Sequence, residues 1–331
     1  MPTLRDVNTL HARGLIPGAR YLAAVAAVRN DAAWARWASR ALLAIGVGHV
    51  LAGIVTFFAW NWADLSAIAK FAIVESALVI ALAGAWFSGI ERAVGQALLI
   101  AASILVGLLL AVIGQVYNTD ADAYSLFMAW TVMIMPWTLA SRSAAQWAVW
   151  LVVLYLALSL YGEQALIPEG RLSRVALEVG LGTLAAIFLA LREAAVRKRA
   201  TWAAAGWTRI GLLIATLGLL FSPAAAYLLS WDYSQGGLWA AAVFPISLAL
   251  GAITYSRPLP DFAATTTVVG FALLFVIAIG YRVIDEVIGF GSNETLLVTS
   301  VGLLVLWSVA ALGLAAKLLQ TLRRNPEPLP S

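Results

Sequence analysis

The chain has 331 residues, of which 62% are apolar and only 11% are charged, and its net charge at pH 7 is +4. A soluble domain has roughly 45–50% apolar and about 25% charged residues, so this composition excludes a water-soluble fold. The absence of cysteine excludes disulfide bonds and thiolate chemistry. The basic residues lie in short loops beside apolar segments, where they indicate membrane topology rather than binding to nucleic acid.

Residues 1–36 carry several charges and lack the continuous apolar core of a cleavable signal peptide. Residues 6–12 predict a short helix that stops at Gly14, and Pro17 suits the first turn of a second helix. We therefore predict a cytoplasmic leader that is either a small helical hairpin or a surface-lying amphipathic helix. Such a leader is a candidate for binding a cytoplasmic protein partner.

Ten apolar runs follow, each long enough to cross a hydrocarbon core about 30 Å thick. The runs cover residues 41–62, 66–87, 94–117, 124–140, 145–161, 174–191, 208–229, 236–254, 263–284 and 295–316. We predict an all-α fold, a polytopic helical bundle with two membrane halves, 37–161 and 174–316, and a tail, 317–331. The fourth and fifth runs are short and close together, so they form either two spans or a re-entrant pair.

The distribution of charge predicts that both chain ends are cytoplasmic. With the N-terminus inside, every Lys and Arg falls in a cytoplasmic segment except Lys70, Arg171, Arg174 and Arg282. This bias follows the positive-inside rule, and removing or adding one span would destroy it. We therefore predict a multi-pass protein with the lipid bilayer as its surroundings.

Two ionisable residues, His49 and Glu75, lie deep in the first two predicted spans. A turn of about four residues joins these spans, so they form an antiparallel hairpin in which the two levels differ by about 6 Å. Ionisable groups at this depth cost roughly 2.5–3.5 kcal/mol each. The pair predicts either a proton relay near mid-membrane or an interhelical hydrogen bond that only fixes the hairpin.

The densest set of polar side chains lies at the predicted outer ends of the first four spans. This outer polar cluster consists of Asn61, Asp64, Lys70, Gln115, Tyr117, Asn118, Asp120 and Asp122. As a binding or catalytic pocket, it would use Lys70 to hold an anionic group and Asp120 or Asp122 as a base or cation ligand. As a polar cap, it would only satisfy helix-end groups and neutralise charge. Two carboxylates are too few for calcium or magnesium, so we predict no metal site.

The segments that carry this cluster resemble a known family. Ala59-Trp60-Asn61-Trp62 ends the first span, Lys70 follows, and Gly114-Gln115-Val116-Tyr117 precedes Asp122 and Trp130. These residues are similar to the A-x-N-W, lysine and G-Q-x-Y pattern of bacterial predicted membrane proteins classed as domain of unknown function 2157. The resemblance covers about residues 5–150. It implies a bacterial cytoplasmic (inner) membrane protein whose shared feature is the outer polar cluster, and it implies no activity.

The sequence has no Walker loop, dinucleotide fingerprint, nucleophile elbow or H-E-x-x-H motif, so we predict no cofactor and do not favour an enzyme. Three functions remain open. The first, which we favour, is a permease-like bundle that moves a small solute or ion, with proton coupling through His49 and Glu75 as one version. The second is an outer-leaflet enzyme that acts on lipid or glycan through Lys70, Asp120 and Asp122. The third is a non-catalytic accessory or sensor protein. No pattern in the sequence indicates an oligomeric state.

Overall fold

The computed structural model describes residues 62–118, 121–229, 237–256, 259–288 and 294–324, together with individual residues between 7 and 60. All regular structure in these residues is helical, which confirms the all-α fold. Nine of the helices are long and apolar enough to cross a membrane. In chain order they are α1 (Ala67–Ser88), α2 (Ala93–Tyr117), α3 (Ala123–Ser141), α4 (Ala144–Tyr161), α5 (Arg174–Arg197), α6 (Gly206–Leu229), α7 (Gly237–Ser256), α8 (Phe262–Val287) and α9 (Glu294–Arg324).

These nine helices match the last nine of the ten predicted spans in order and position. The fourth and fifth predicted spans are two separate helices, α3 and α4, and a π-helical turn, Gly162–Leu166, extends α4. Helix α3 has 19 residues and is therefore about 28 Å long, enough to cross the hydrocarbon core. The first predicted span, 41–62, lies largely outside the described residues, and the orientation of the chain ends stays a prediction.

The turns that separate the first helices use left-handed backbone conformations. Gly89 follows α1 with a φ of 86°, and Asn118 and Arg142 follow α2 and α3, each with a φ of 46°. Glycine adopts this region without steric cost, and asparagine tolerates it better than most residues. Because the turn after α3 contains only two residues, α3 and α4 form a tight antiparallel hairpin.

By its internal packing the chain divides into two compact units, residues 1–70 and 71–331. In the first unit, helical residues on both sides flank a bend at Leu15 and Ile16, where the Leu15 amide donates a hydrogen bond to the Leu10 carbonyl. Most of the predicted leader, 1–36, lies outside the described residues, so its form stays a prediction. The second unit contains two groups of helices, described next.

The first bundle consists of α2, α3 and α4, which pack on one another in every pairing. Its core is formed by Val106, Ile134, Trp150 and Val153. Gly107 allows a close approach, because a Cβ atom at this position would lie 2.5 Å from the ring of Trp130. Small residues serve this purpose in membrane bundles, where helix association depends on close packing.

The second bundle consists of α5, α6, α7 and α8, with α9 packed on α8. Its core is almost purely apolar, with Leu217 and Phe244 among the most buried side chains. Helix α9 is tied to α8 by the Trp307 indole, which donates a hydrogen bond of 2.8 Å to the Val276 carbonyl. The two bundles meet along α4 and α5, and a cavity lies at this junction.

Candidate functional site

The two predicted mid-membrane residues each have an exposed side chain. His49 is helical, and its Nδ1 lies 2.9 Å from the carbonyl oxygen of Ile45, so the ring bonds to its own helix. Glu75 lies on α1 and makes no ion pair or hydrogen bond with any residue that the structure describes. The pairing of these two residues, and with it a proton relay, stays a prediction.

Lys70 is the most buried member of the outer polar cluster, with 9% of its surface exposed. Its Nζ lies 5.4 Å from the centroid of the Trp62 ring, a distance at which an ammonium group is attracted by the aromatic face. Within the described part of the chain, no carboxylate pairs with Lys70, and Asp64 is exposed in the turn before α1. The role predicted for Lys70, to hold an anionic group, stays a prediction.

The remaining members of the outer polar cluster flank the connection from α2 to α3. Gln115 and Tyr117 are exposed in the last turn of α2, where the Tyr117 ring lies 6.1 Å from that of Phe71. Asn118 ends the helix through a backbone N–H that donates to the Gly114 carbonyl, and Asp122 occupies the N-cap position of α3 without a capping bond from its side chain.

Two members of the outer polar cluster, Asn61 and Asp120, lie outside the described residues. The assembly of the whole cluster at one membrane level stays a prediction.

A neutral polar network lies inside the first bundle, near the turn from α3 to α4. The Gln146 Nε2 atom donates to Ser103 Oγ at 2.7 Å and to Thr138 Oγ1 at 3.2 Å. The Trp137 indole also donates to Ser103 Oγ, at 2.9 Å. Both hydroxyls donate in turn to carbonyls of their own helices, so they act as acceptors toward Gln146. This arrangement links three helices through uncharged groups.

One atom of this network has no hydrogen-bond partner among the described residues. Gln146 is completely buried, and its Oε1 accepts no hydrogen bond from any described residue. Both donors of the same amide are already used by Ser103 and Thr138, so the orientation of the side chain is determined by its nitrogen. The network therefore joins the helices firmly but leaves one buried acceptor unsatisfied.

A charged cluster lies where α5, α6 and α8 meet, at the end of the second bundle that the sequence predicts to be cytoplasmic. Glu193 accepts hydrogen bonds from Arg192 at 2.8 Å and from Arg209 at 2.8 and 2.9 Å. Arg209 also pairs with Asp261, which precedes α8. Arg192 and Glu193 are less than 10% exposed. Two guanidinium groups and two carboxylates thus balance one another, and the cluster holds three helices together.

Asp261 has two roles in this charged cluster. Its Oδ1 accepts a hydrogen bond of 2.9 Å from the Ala264 amide, which caps α8. Burial acts to raise the pKa of Asp261, but the hydrogen bonds from Ala264 and Arg209 and the charge of Arg209 outweigh it and hold the pKa below its ordinary value. Asp261 is therefore a structural carboxylate that stays ionised.

The cavity at the junction of the two bundles is a groove of about 670 Å³ between α4, α5 and α6. Its lining is apolar over most of its length. Trp147, Trp202 and Trp207 stand at one end, and the polar groups there belong to Arg192 and Thr208. Trp147 and Trp202 stack with their ring centroids 6.1 Å apart and form one wall.

The groove opens toward the outside of the bundle, because several of its lining side chains are more than 40% exposed, among them Val152, Leu156, Leu191 and Trp207. Along α4 the lining extends from Ala144 to Ser159, which corresponds to about 22 Å at 1.5 Å per residue. The length of the groove is therefore most of the thickness of the hydrocarbon core, which is roughly 30 Å.

Sequence reasoning did not identify this groove or the charged cluster. Arg192 and Arg209 count as topology signals in a sequence, because nothing in the sequence brings Asp261 next to a helix that starts 55 residues earlier at Gly206. In the sequence alone, the tryptophans at the groove end are typical of residues that anchor a helix at the membrane interface. A usable signal was present in Arg192-Glu193, a charged pair that directly follows the predicted apolar span 174–191.

Comparison with known proteins agrees with the resemblance described above. Residues 8–147 match the family described as predicted membrane protein (DUF2157). The matched range ends within α4 and therefore contains the outer polar cluster and the neutral polar network, whereas α5 to α9 lie beyond it. No curated protein and no solved structure matches the chain. The chain is an integral membrane protein over its described helices, and the comparisons assign it no activity.

Proposed function

We propose that this protein is a permease-like carrier that takes up an amphipathic molecule from the bilayer into the groove between α4, α5 and α6. The observation that carries the proposal is the groove itself, with a volume of about 670 Å³. Ligand sites are typically clefts of about 300–1,000 Å³ with an apolar lining and a few polar groups. This proposal is the permease-like function that the sequence favours, and it names the groove as the ligand site.

The lining supports an amphipathic rather than a fully polar ligand. Along α4 it presents mainly apolar side chains, Leu151, Val152 and Leu156, with Tyr155 and Ser159 between and beyond them. The charged group of the lining, Arg192, lies at one end beside Thr208. A molecule with an apolar body and one polar end would fit this distribution. The exposed side chains of Val152 and Leu156 allow entry from the side, directly from the hydrocarbon.

The bonding of the polar groups favours a carrier over an enzyme. Each nitrogen of the Arg192 guanidinium makes a hydrogen bond within the protein, to Thr208 Oγ1, to Glu193 and to the Ala205 carbonyl. Tyr155, deeper in the groove, donates its hydroxyl to the Leu181 carbonyl at 3.1 Å. These bonds hold the walls in place and leave the groove with a shape and an apolar surface, which suit binding and release. Proton coupling through His49 and Glu75 stays a separate prediction.

The proposal is tested by lipid movement in proteoliposomes. The probe is phosphatidylcholine with a fluorescent group on one acyl chain, and its exposure at the outer leaflet is followed by chemical quenching with dithionite. The wild type is expected to speed movement between leaflets. Gly211→Trp is expected to abolish this increase, because a Cβ at Gly211 meets nothing within 4 Å and the indole would occupy the groove.

Gly180→Trp is the matched control. Gly180 lies on α5, is exposed and also has nothing within 4 Å of its Cβ position, but it does not line the groove. This variant is expected to move the probe at the wild-type rate. Equal rates with and without wild-type protein, or equal rates in the wild type and Gly211→Trp, would contradict the proposal.

A second function, the binding of an anion, is favoured by Lys70, whose buried ammonium group faces the Trp62 ring. A buried cation without a carboxylate partner among the described residues favours an anion as its ligand. This would be the anion-holding part of the outer-leaflet enzyme or binding pocket predicted from the sequence. Inorganic phosphate should then raise the unfolding temperature of the wild type and not that of Lys70→Met. Lys317→Met, at an exposed lysine of α9, should retain the full effect.

A further inference from the structure

We infer that the occupant of the groove is an anionic phospholipid, with an acyl chain in the groove and its phosphate held by the basic segment Arg197-Lys198-Arg199. The inference rests on the proposed function and adds the chemical class of the ligand. It combines two features of the second unit, the apolar groove and this run of three cations, that lie next to each other in the structure.

The basic segment lies directly at the groove mouth. Ala195, two residues before Arg197, and Trp202, three residues after Arg199, both line the groove. The backbone between them is held by hydrogen bonds from Lys198 N to Ala194 O and from Ala200 N to Ala195 O. The three basic residues are therefore fixed at the end of α5 that borders the groove.

The three cations have no charged or hydrogen-bonding partner among the residues that the structure describes. All three side chains are exposed, and none makes an ion pair or hydrogen bond with a described residue. Glu193, four residues before Arg197 in the chain, is already neutralised, because it accepts from both Arg192 and Arg209. The end of the groove therefore presents a local positive charge, whereas the charged cluster beneath it is balanced.

An anionic phospholipid matches both features at once. Its acyl chain suits the lining of Leu151, Leu156 and Phe188, and its phosphate suits arginine and lysine donors at headgroup depth. Clusters of basic residues beside transmembrane helices attract anionic lipids, and basic pockets between such helices hold their headgroups. The indole of Trp207, more than half exposed at the same end, is typical of the interface between headgroups and hydrocarbon. The end of the groove thus lies where the phosphate of a lipid headgroup would lie, at the interface between headgroups and hydrocarbon.

The test is native mass spectrometry of the full-length protein released from micelles that contain equal amounts of phosphatidylglycerol and phosphatidylcholine. The wild type is expected to retain phosphatidylglycerol over phosphatidylcholine by about tenfold, as expected for several basic residues acting on one headgroup. The triple variant R197Q/K198Q/R199Q is expected to lose this preference while it still retains phosphatidylcholine. The variant R92Q/K317Q, which removes two exposed cations away from the groove, is expected to keep it.

The outcomes separate the inference from the function on which it rests. Equal retention of the two lipids by the wild type, or an unchanged preference in the triple variant, would overturn the anionic ligand and leave a groove that binds lipid. Equal total retention by the wild type and Gly211→Trp would overturn the groove as a binding site, whatever the headgroup. The unfolding temperature of the triple variant is the control for folding. It is expected to equal that of the wild type, since the three side chains are exposed and make no ion pair or hydrogen bond with a described residue.

Discussion

The two bundles join their helices with polar groups of different kinds. The first bundle uses uncharged groups, and its network of Ser103, Thr138 and Gln146 is completely buried. The second bundle has an apolar core, and a buried charged cluster at one end, where Glu193 binds Arg192 and Arg209, joins its helices. Each bundle thus contains a link between three helices, but only one of the links contains ions.

The difference follows from the energy of removing each kind of group from water. A neutral hydrogen-bonding group loses about 1–3 kcal/mol when it is buried without a partner, whereas an ion loses far more and requires a counter-ion. The charged cluster lies at helix ends, beside a connection that holds exposed cations, and all of its four members are paired. The hydroxyls of Ser103 and Thr138 tolerate the interior of the first bundle because carbonyls of their own helices accept from them, and the Gln146 amide donates to these hydroxyls.

The largest expected loss in the free energy of unfolding is that of Glu193→Gln, which removes a charge from the charged cluster of the second bundle. The substitution leaves Arg192 buried without a carboxylate and leaves Arg209 with Asp261 alone. Removing one partner of a buried ion pair typically costs about 3–5 kcal/mol, because the remaining charge is uncompensated. Titration with sodium dodecyl sulfate, followed by circular dichroism, measures this loss in the free energy of unfolding.

Glu163→Gln is the control for that substitution. Glu163 pairs with Arg174 at 3.2 Å, but both side chains are about half exposed or more, so the pair is worth at most about 1 kcal/mol. A loss in Glu193→Gln no larger than that in Glu163→Gln would show that the charged cluster does not hold the second bundle together.

An intermediate effect is expected for Asp261→Asn, which keeps the cap of α8 but removes a charge. Asparagine is as good an N-cap residue as aspartate, so the loss at neutral pH should be about 1–2 kcal/mol, from the weakened bond to Arg209. Because folding lowers the pKa of Asp261, its carboxylate stabilises the protein above the ordinary pKa of 3.8. This contribution is lost as the pH falls from 3.8 through the lower pKa of the folded state.

The difference in stability between the wild type and Asp261→Asn should therefore shrink in that acid range. Unfolding temperatures of both proteins, measured from neutral pH down to pH 3, test this expectation. Asp122→Asn serves as the comparison, since Asp122 also occupies an N-cap position but its side chain makes no capping bond. A constant difference between the wild type and Asp261→Asn over the whole range would contradict the role assigned to the carboxylate.

The sequence predicted the helices well because burial in a bilayer makes each span readable from its own composition. The four-residue gap at 141–144, for example, correctly separated α3 from α4. The sites were harder, because they depend on contacts between helices. Gln146 is an unremarkable polar residue beside a turn until α2 brings Ser103 within 2.7 Å of it. The groove likewise exists only through the spacing of α4, α5 and α6, which no pattern within one helix contains.

The smallest expected effect concerns Gln146, where the neutral character of the first bundle is tested directly. Gln146→Met removes two donated hydrogen bonds, but Ser103 and Thr138 still donate to carbonyls of their own helices, and Ser103 still accepts from Trp137. The same substitution removes the buried acceptor Oε1 that has no partner among the described residues, which offsets part of the loss. The net change in the free energy of unfolding should therefore be within about 1 kcal/mol.

Gln146→Glu makes the opposite case, because it places an ion where the first bundle has none. An ionised carboxylate cannot donate to Ser103 or Thr138, and these two partners of the side chain are both uncharged. Its loss should exceed that of Gln146→Met by several kcal/mol near neutral pH and should decrease as the pH falls and the carboxyl becomes protonated. If both variants were equally stable at pH 7, water or a cation would have to reach Gln146, and the first bundle would tolerate charge as the second does.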